Sequence, residues 1–136
     1  MRNAGGTFGG TGVINRAVVV NAGGVLEPGS LGSGTLTVTN LTLTNGATCT
    51  FELGAIGASD RVMVGGALAL RGTVNVVRAT GFGAGRYEVM SYGTLTTNTA
   101  VIGSVPQGYR ATLVDSPGAR KIYISATGSG TVTIVR

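Results

Sequence analysis

Two stretches of the chain repeat one another, and the repeat contains nothing but short strands. Residues 35–54 read TLTVTNLTLTNGATCTFELG and residues 61–81 read RVMVGGALALRGTVNVVRATG. Each has an alternating run, a polar or glycine corner, a second alternating run, an X-Gly corner and a third run. Aligning Gly46 with Gly72 places Leu36 on Val62 and Val38 on Val64. An earlier and looser copy, AVVVNAGGVLEPG from Ala17, brings Gly23 onto Gly46. Units of this size cannot bury an apolar face alone, so copies must stack on one another. The expected fold is all-β, a parallel β-solenoid (β-helix).

The alternation also says which side chains point inward. In residues 35–53, Leu36, Val38, Leu41, Leu43, Cys49, Phe51 and Leu53 fall on one side, and Thr35, Thr37, Thr39, Thr42, Thr44, Thr48 and Thr50 on the other. Val62, Val64, Leu68, Leu70, Val74 and Val76 repeat the inner set. Period two with β-branched residues on the wet face is a strand signature, and no 3.6-residue period survives the glycines. Corners are expected at Asn40, Asn45-Gly46, Gly65-Gly66 and Arg71-Gly72, where Gly or Asn accepts positive φ. The threonine ladder does not continue: the next copy offers Arg61, Met63, Ala67 and Ala69 at the outward positions. That argues for a solvated face and against an ice-ordering one.

Three regions of one domain follow from this pattern. Residues 1–80 carry solenoid rungs, with an edge at the glycine-rich start. Residues 81–127 carry a C-terminal β-hairpin cap and its associated strands, with a turn expected at Asp115-Ser116-Pro117-Gly118. Residues 128–136 form a glycine-hinged terminal strand, where Val132 and Ile134 alternate with Thr131, Thr133 and Val135.

Charged residues are only 11% of the chain and the net charge is +5. Of the ten cationic residues all but Lys121 are arginine, and they are spread along the sequence. With little aromatic content and no recognition-helix or RRM pattern, nucleic acid is not an expected partner. No run of about 18 apolar residues marks a membrane span. Cys49 falls on the inner face, reads as a small core residue, and has no histidine to activate it.

The sequence is poor in catalytic chemistry. It holds five carboxylates and no histidine, so neither a catalytic site nor a metal or cofactor site is expected. Glu52 and Asp60 are the one pair that the strand order can bring together, as a polysaccharide-cleaving enzyme would require. Ser59-Asp60 reads more simply as corner chemistry. Asn40-Leu41-Thr42 is a formal glycosylation sequon on a residue better explained as a corner.

The segments NAGGVLEPGS (21–30), SGTLTVTNLTL (33–43) and SDRVMVGGALALRGTVNVV (59–77) resemble the β-strand repeats in passenger regions of bacterial autotransporter-like proteins. GFGAGRYEVMSYGTL (81–95) resembles the material that often follows them. The likeness runs from about Gly5 to Ile124. It implies a right-handed parallel β-solenoid, extracellular or at the bacterial cell surface; the scarcity of acid–base residues points to a non-enzymatic role. Two uses fit that setting. One is a rigid surface spacer or end-to-end filament subunit whose partner is itself, a head-to-tail homopolymer joined through Thr131, Val132, Thr133, Ile134 and Val135. The other is an adhesin-like module that binds acidic cell-surface polysaccharide through Arg61 and Arg71.

Overall fold

Among the residues described by the computed structural model (2–3, 7–28, 34–55 and 59–128), all regular structure is strand. Short β1 (Arg2–Asn3) and β2 (Thr7–Gly10) come first. Three turns follow: β3 (Gly12–Val20) with β4 (Val25–Pro28); β5 (Thr35–Leu43) with β6 (Thr48–Leu53); and β7 (Arg61–Val64), β8 (Ala67–Leu70) and β9 (Thr73–Arg78). Then come β10 (Gly85–Ser91), β11 (Thr94–Asn98), β12 (Val101–Ile102), β13 (Tyr109–Ser116) and β14 (Lys121–Gly128).

The strands form two sheets. One follows the order β1-β3-β5-β7-β10-β14-β13, with β8 and β11 continuing the β5 side; the other runs β2-β4-β6-β9-β12. The neighbours are parallel except β10–β14 and β13–β14, which are antiparallel. The repeat read from the sequence is the register itself: Leu36 pairs with Val62 and Val38 with Val64. Identical chemistry therefore stacks. Val18, Leu41, Leu68 and Leu95 make one inner ladder, and Leu26, Cys49, Val74 and Ile102 make another.

Burial follows the alternation. β6 reads half-buried, buried three times over, and Cys49, Phe51 and Leu53 are all wholly buried. The outward threonines do lose their ladder at the next turn, where Thr35, Thr37 and Thr42 pair with Arg61, Met63 and Ala69.

Corners repeat as faithfully as strands. Gly23, Gly46 and Gly72 have φ of 84°, 84° and 79°. The N–H of Gly23 bonds to the carbonyl of Gly46 at 3.0 Å, and that of Thr73 to Ala47 at 3.0 Å, so each corner rests on the next. Gly65-Gly66 is built otherwise. Neither residue has positive φ; Asn40 Oδ1 accepts the N–H of Ala67 at 2.7 Å and fills the space where a Cβ on Gly66 would stand. Asn40 is not itself a corner as expected: it lies within β5 without positive φ, and its side chain serves the corner of the next turn.

After Thr80 the sequence pattern loosens, yet the parallel stack goes on. β10 pairs with β7, β11 with β8 and β12 with β9. Only then does β14 take the next place beside β10, antiparallel, with β13 outside it. The hairpin turn lies at residues 117–120, two places beyond the expected one. Pairing continues to Ser116↔Lys121, and Arg120 takes φ 57°. The reason is Asp115. It pairs with Ile122 on the inner face and accepts the Tyr92 hydroxyl at 2.5 Å, so it belongs to the strand. The terminal strand expected at 131–135 lies outside the described residues.

Candidate functional site

On or beside the outer face of the β10–β14–β13 sheet lie an arginine–glutamate ion pair, a lysine–glutamate ion pair and a cation–π contact. Ile122, Ile124 and Ala126 of β14 are buried, so Lys121, Tyr123, Ser125 and Thr127 point outward. Antiparallel partners share a side, which puts Arg86 opposite Ser125 and Glu88 opposite Tyr123 on the β10 flank. Arg110, Thr112 and Val114 stand opposite Thr127, Ser125 and Tyr123 on the β13 flank.

Glu88 gathers two cations. Arg61 Nη2 donates to its Oε2 at 2.6 Å, and Lys121 Nζ forms an ion pair with its Oε1 at 3.0 Å. Arg61 Nε is buried without a partner among the described residues, so the guanidinium is held by that one side. Arg86 is held differently: its Cζ sits 4.4 Å from the Tyr123 ring centroid, a cation–π contact.

Behind this face lies an aromatic cluster. Phe82 stacks on Tyr87 at 5.7 Å between centroids and meets Tyr109 edge-on at 4.7 Å. The Tyr87 hydroxyl donates to Gly83 O at 2.9 Å. These rings hold β10 and the hairpin against the core.

Arg61 and Arg71 do not converge. Arg61 pairs with Thr35 at the start of β5, while the backbone N–H of Arg71 bonds to Leu43 O at its end. Arg86 and Tyr123 escaped the sequence reading. The alternation in GRYEVMS and KIYIS does put Arg86 with Glu88 and Lys121 with Tyr123, but their pairing depends on a register that only the folded sheet defines.

Glu52 and Asp60 do meet. Together with Glu27, Thr50 and Val77 they line an open cleft of about 100 Å³. Asp60 is only 2% exposed, and its carboxylate accepts the N–H of Glu52 at 2.8 Å and of Gly34 at 3.1 Å. Burial pushes its pKa up to about 6; the Glu52 and Glu27 charges add to that, and the two backbone N–H bonds oppose it. A carboxylate whose oxygens tie two backbone segments together is a fastener at the corner preceding β7. Among the described residues no three His, Cys, Asp or Glu side chains converge as metal ligands would. Cys49 is buried, and burial, with the Asp60 and Glu27 charges adding, pushes its thiol far above the usual range, so it is inert.

No helix among the described residues is long and apolar enough to cross a membrane. No family model matches the chain. Over 120 residues it is 37% identical to the adhesin BmaC autotransporter of Brucella suis biovar 1 (strain 1330), a match that covers 82% of this chain and 4% of that protein.

Proposed function

Because the chain is a parallel β-solenoid of bacterial autotransporter-passenger-like β-strand repeats, we propose that it serves outside the bacterial cell as a rigid, non-enzymatic structural module of the adhesin type. The observation that carries this reading is the uninterrupted stacking of like residues, Val18–Leu41–Leu68–Leu95 on one wall and Leu26–Cys49–Val74–Ile102 on the other. Such a stack resists bending because each turn is fastened to its neighbours by backbone ladders along both walls. The similarity to a protein named as an adhesin autotransporter supports a cell-surface setting.

A turnover assay tests the non-enzymatic part. Purified protein is incubated with a panel of plant, bacterial and host polysaccharides, and release of reducing ends is followed. No release is the expected result. Release that disappears in Glu52→Gln or Asp60→Asn would make the acidic cleft an active site and overturn the reading.

A second reading, end-to-end assembly, has one observation in its favour. β13 ends its sheet, and among the described residues no strand pairs with its outer side. An edge of this length is a template for an added strand, and residues 131–135 alternate as such a strand would. Sedimentation velocity over a concentration series, with electron microscopy of the highest concentrations, separates the two. Monomers throughout favour the spacer; unbranched filaments that vanish on deleting residues 129–136 favour assembly.

A further inference from the structure

We propose that the outer face of the β10–β14–β13 sheet binds carboxylate-bearing polysaccharide, with Arg86 as the residue that reads the carboxylate. The proposal rests on the extracellular reading for its setting, and it replaces a scattered arginine surface with one defined place.

Three features carry it. First, charge: Arg61, Arg86, Arg110 and Lys121 stand on or beside this face against the single carboxylate of Glu88. Glu88 answers two of those cations. Among the described residues no carboxylate lies within ion-pair distance of Arg86 or Arg110, and both are exposed. Second, orientation. The Tyr123 ring holds Arg86 by a cation–π contact, 4.4 Å from Cζ to the ring centroid, and not through a carboxylate. No ion pair among the described residues takes its N–H groups, which leaves them for bidentate grip of a ligand carboxylate. Arg61, by contrast, already gives Nη2 to Glu88, and its Nε is buried. Third, the floor between the two free arginines is hydroxylic: Ser125 lies between Arg86 and Thr112, and Thr127 faces Arg110. Hydroxyls that both donate and accept suit sugar hydroxyls. Arg86 and Arg110 stand on the two strands flanking β14 and two residues apart in register, a backbone separation of roughly 12 Å, so the face is suited to a chain carrying repeated acid groups.

A nucleic acid is the weaker match. The outward aromatic here is Tyr123, and with Arg86 over its ring it offers a base little room to stack.

The test is binding to immobilised polygalacturonate at low salt, with neutral dextran and duplex DNA as comparison surfaces. Wild-type protein is expected to bind polygalacturonate, to ignore dextran and to be released as salt rises. Arg86→Ala should weaken binding about tenfold or more. Arg86→Lys, which keeps the charge but not the fork, should recover only part of it. Arg71→Ala, away from this face, should bind as wild type. Circular dichroism on each variant confirms the fold. No binding to polygalacturonate, equal binding to dextran, an Arg86→Ala variant that binds normally, or an equal loss in Arg71→Ala would each overturn the proposal. DNA binding as strong as polygalacturonate binding and equally dependent on Arg86 would also overturn it, since the face would then read charge alone. These results are independent of the turnover and sedimentation outcomes.

Discussion

Asp60 Oδ1 accepts the backbone N–H of Gly34 at 3.1 Å, joining the residue that precedes β7 to the residue that precedes β5. Its other oxygen takes the N–H of Glu52 in β6. One buried side chain thus fastens its corner to two other backbone segments. Asp60→Ala would strand both N–H groups, and a loss of about 1–3 kcal/mol is expected. Urea unfolding measures it.

The same residue sets a pH dependence. Asp60 titrates near 6 in the fold against an ordinary 3.8, so the folded state holds the proton more tightly. Its favourable contribution is full below about pH 3.8 and is lost as pH rises through about 6. Wild-type stability should therefore fall between pH 4 and pH 7 relative to Asp60→Asn. A difference that grows in the opposite direction would show that the two N–H bonds outweigh burial.

Gly72 sits at φ 79°, and an added Cβ would strike the backbone carbonyls of Ala47 and Thr44. Gly72→Ala combines a left-handed backbone with a clash that cannot move aside, so a cost of about 2 kcal/mol or more is expected. Gly118→Ala meets nothing within 4 Å and has no positive φ. It should be neutral or slightly stabilising, because it removes freedom from the unfolded chain. Thermal melts of the two variants provide the comparison.

Among the described residues Phe51 is the largest wholly buried side chain, on the inner wall of β6. Phe51→Ala is expected to cost about 3–5 kcal/mol, a large part of the stability of a domain this size. Val13, at 67% exposed, should tolerate alanine with little change in the denaturant midpoint.

Tyr92 is buried against Asp115. Burial, followed by the hydrogen bond to that carboxylate and its charge, raises the phenol to about 12, with Arg120 opposing. The folded value lies above the ordinary 10, so the stability that this phenol contributes is lost as pH rises from about 10 through 12. Ultraviolet titration should show a late tyrosinate step that is absent in Tyr92→Phe.

Much of the fold was legible from residues alone. Alternation is local, and it assigned the inner faces of residues 35–53 and 61–76 because a strand side chain has only two directions to point. Internal repetition supplied even the register, since like residues stack when each turn packs on a copy of itself. The turn beyond residue 80 was less legible. There larger side chains replace the aliphatic ladder, and bulges between Glu88 and Met90 and between Leu95 and Thr97 break the period. Asp115 looked like a turn residue because its buried partner, Tyr92, is remote in sequence.

The sequence by itself determined the solenoid, its inner faces and its glycine corners, because these depend on near neighbours and on a repeating length. The tertiary structure alone decided which outward residues meet. Arg86 reaches Tyr123, Arg61 reaches Glu88, and Arg61 and Arg71 stay apart, because antiparallel register and the placing of one turn over another bring together residues that no local pattern relates.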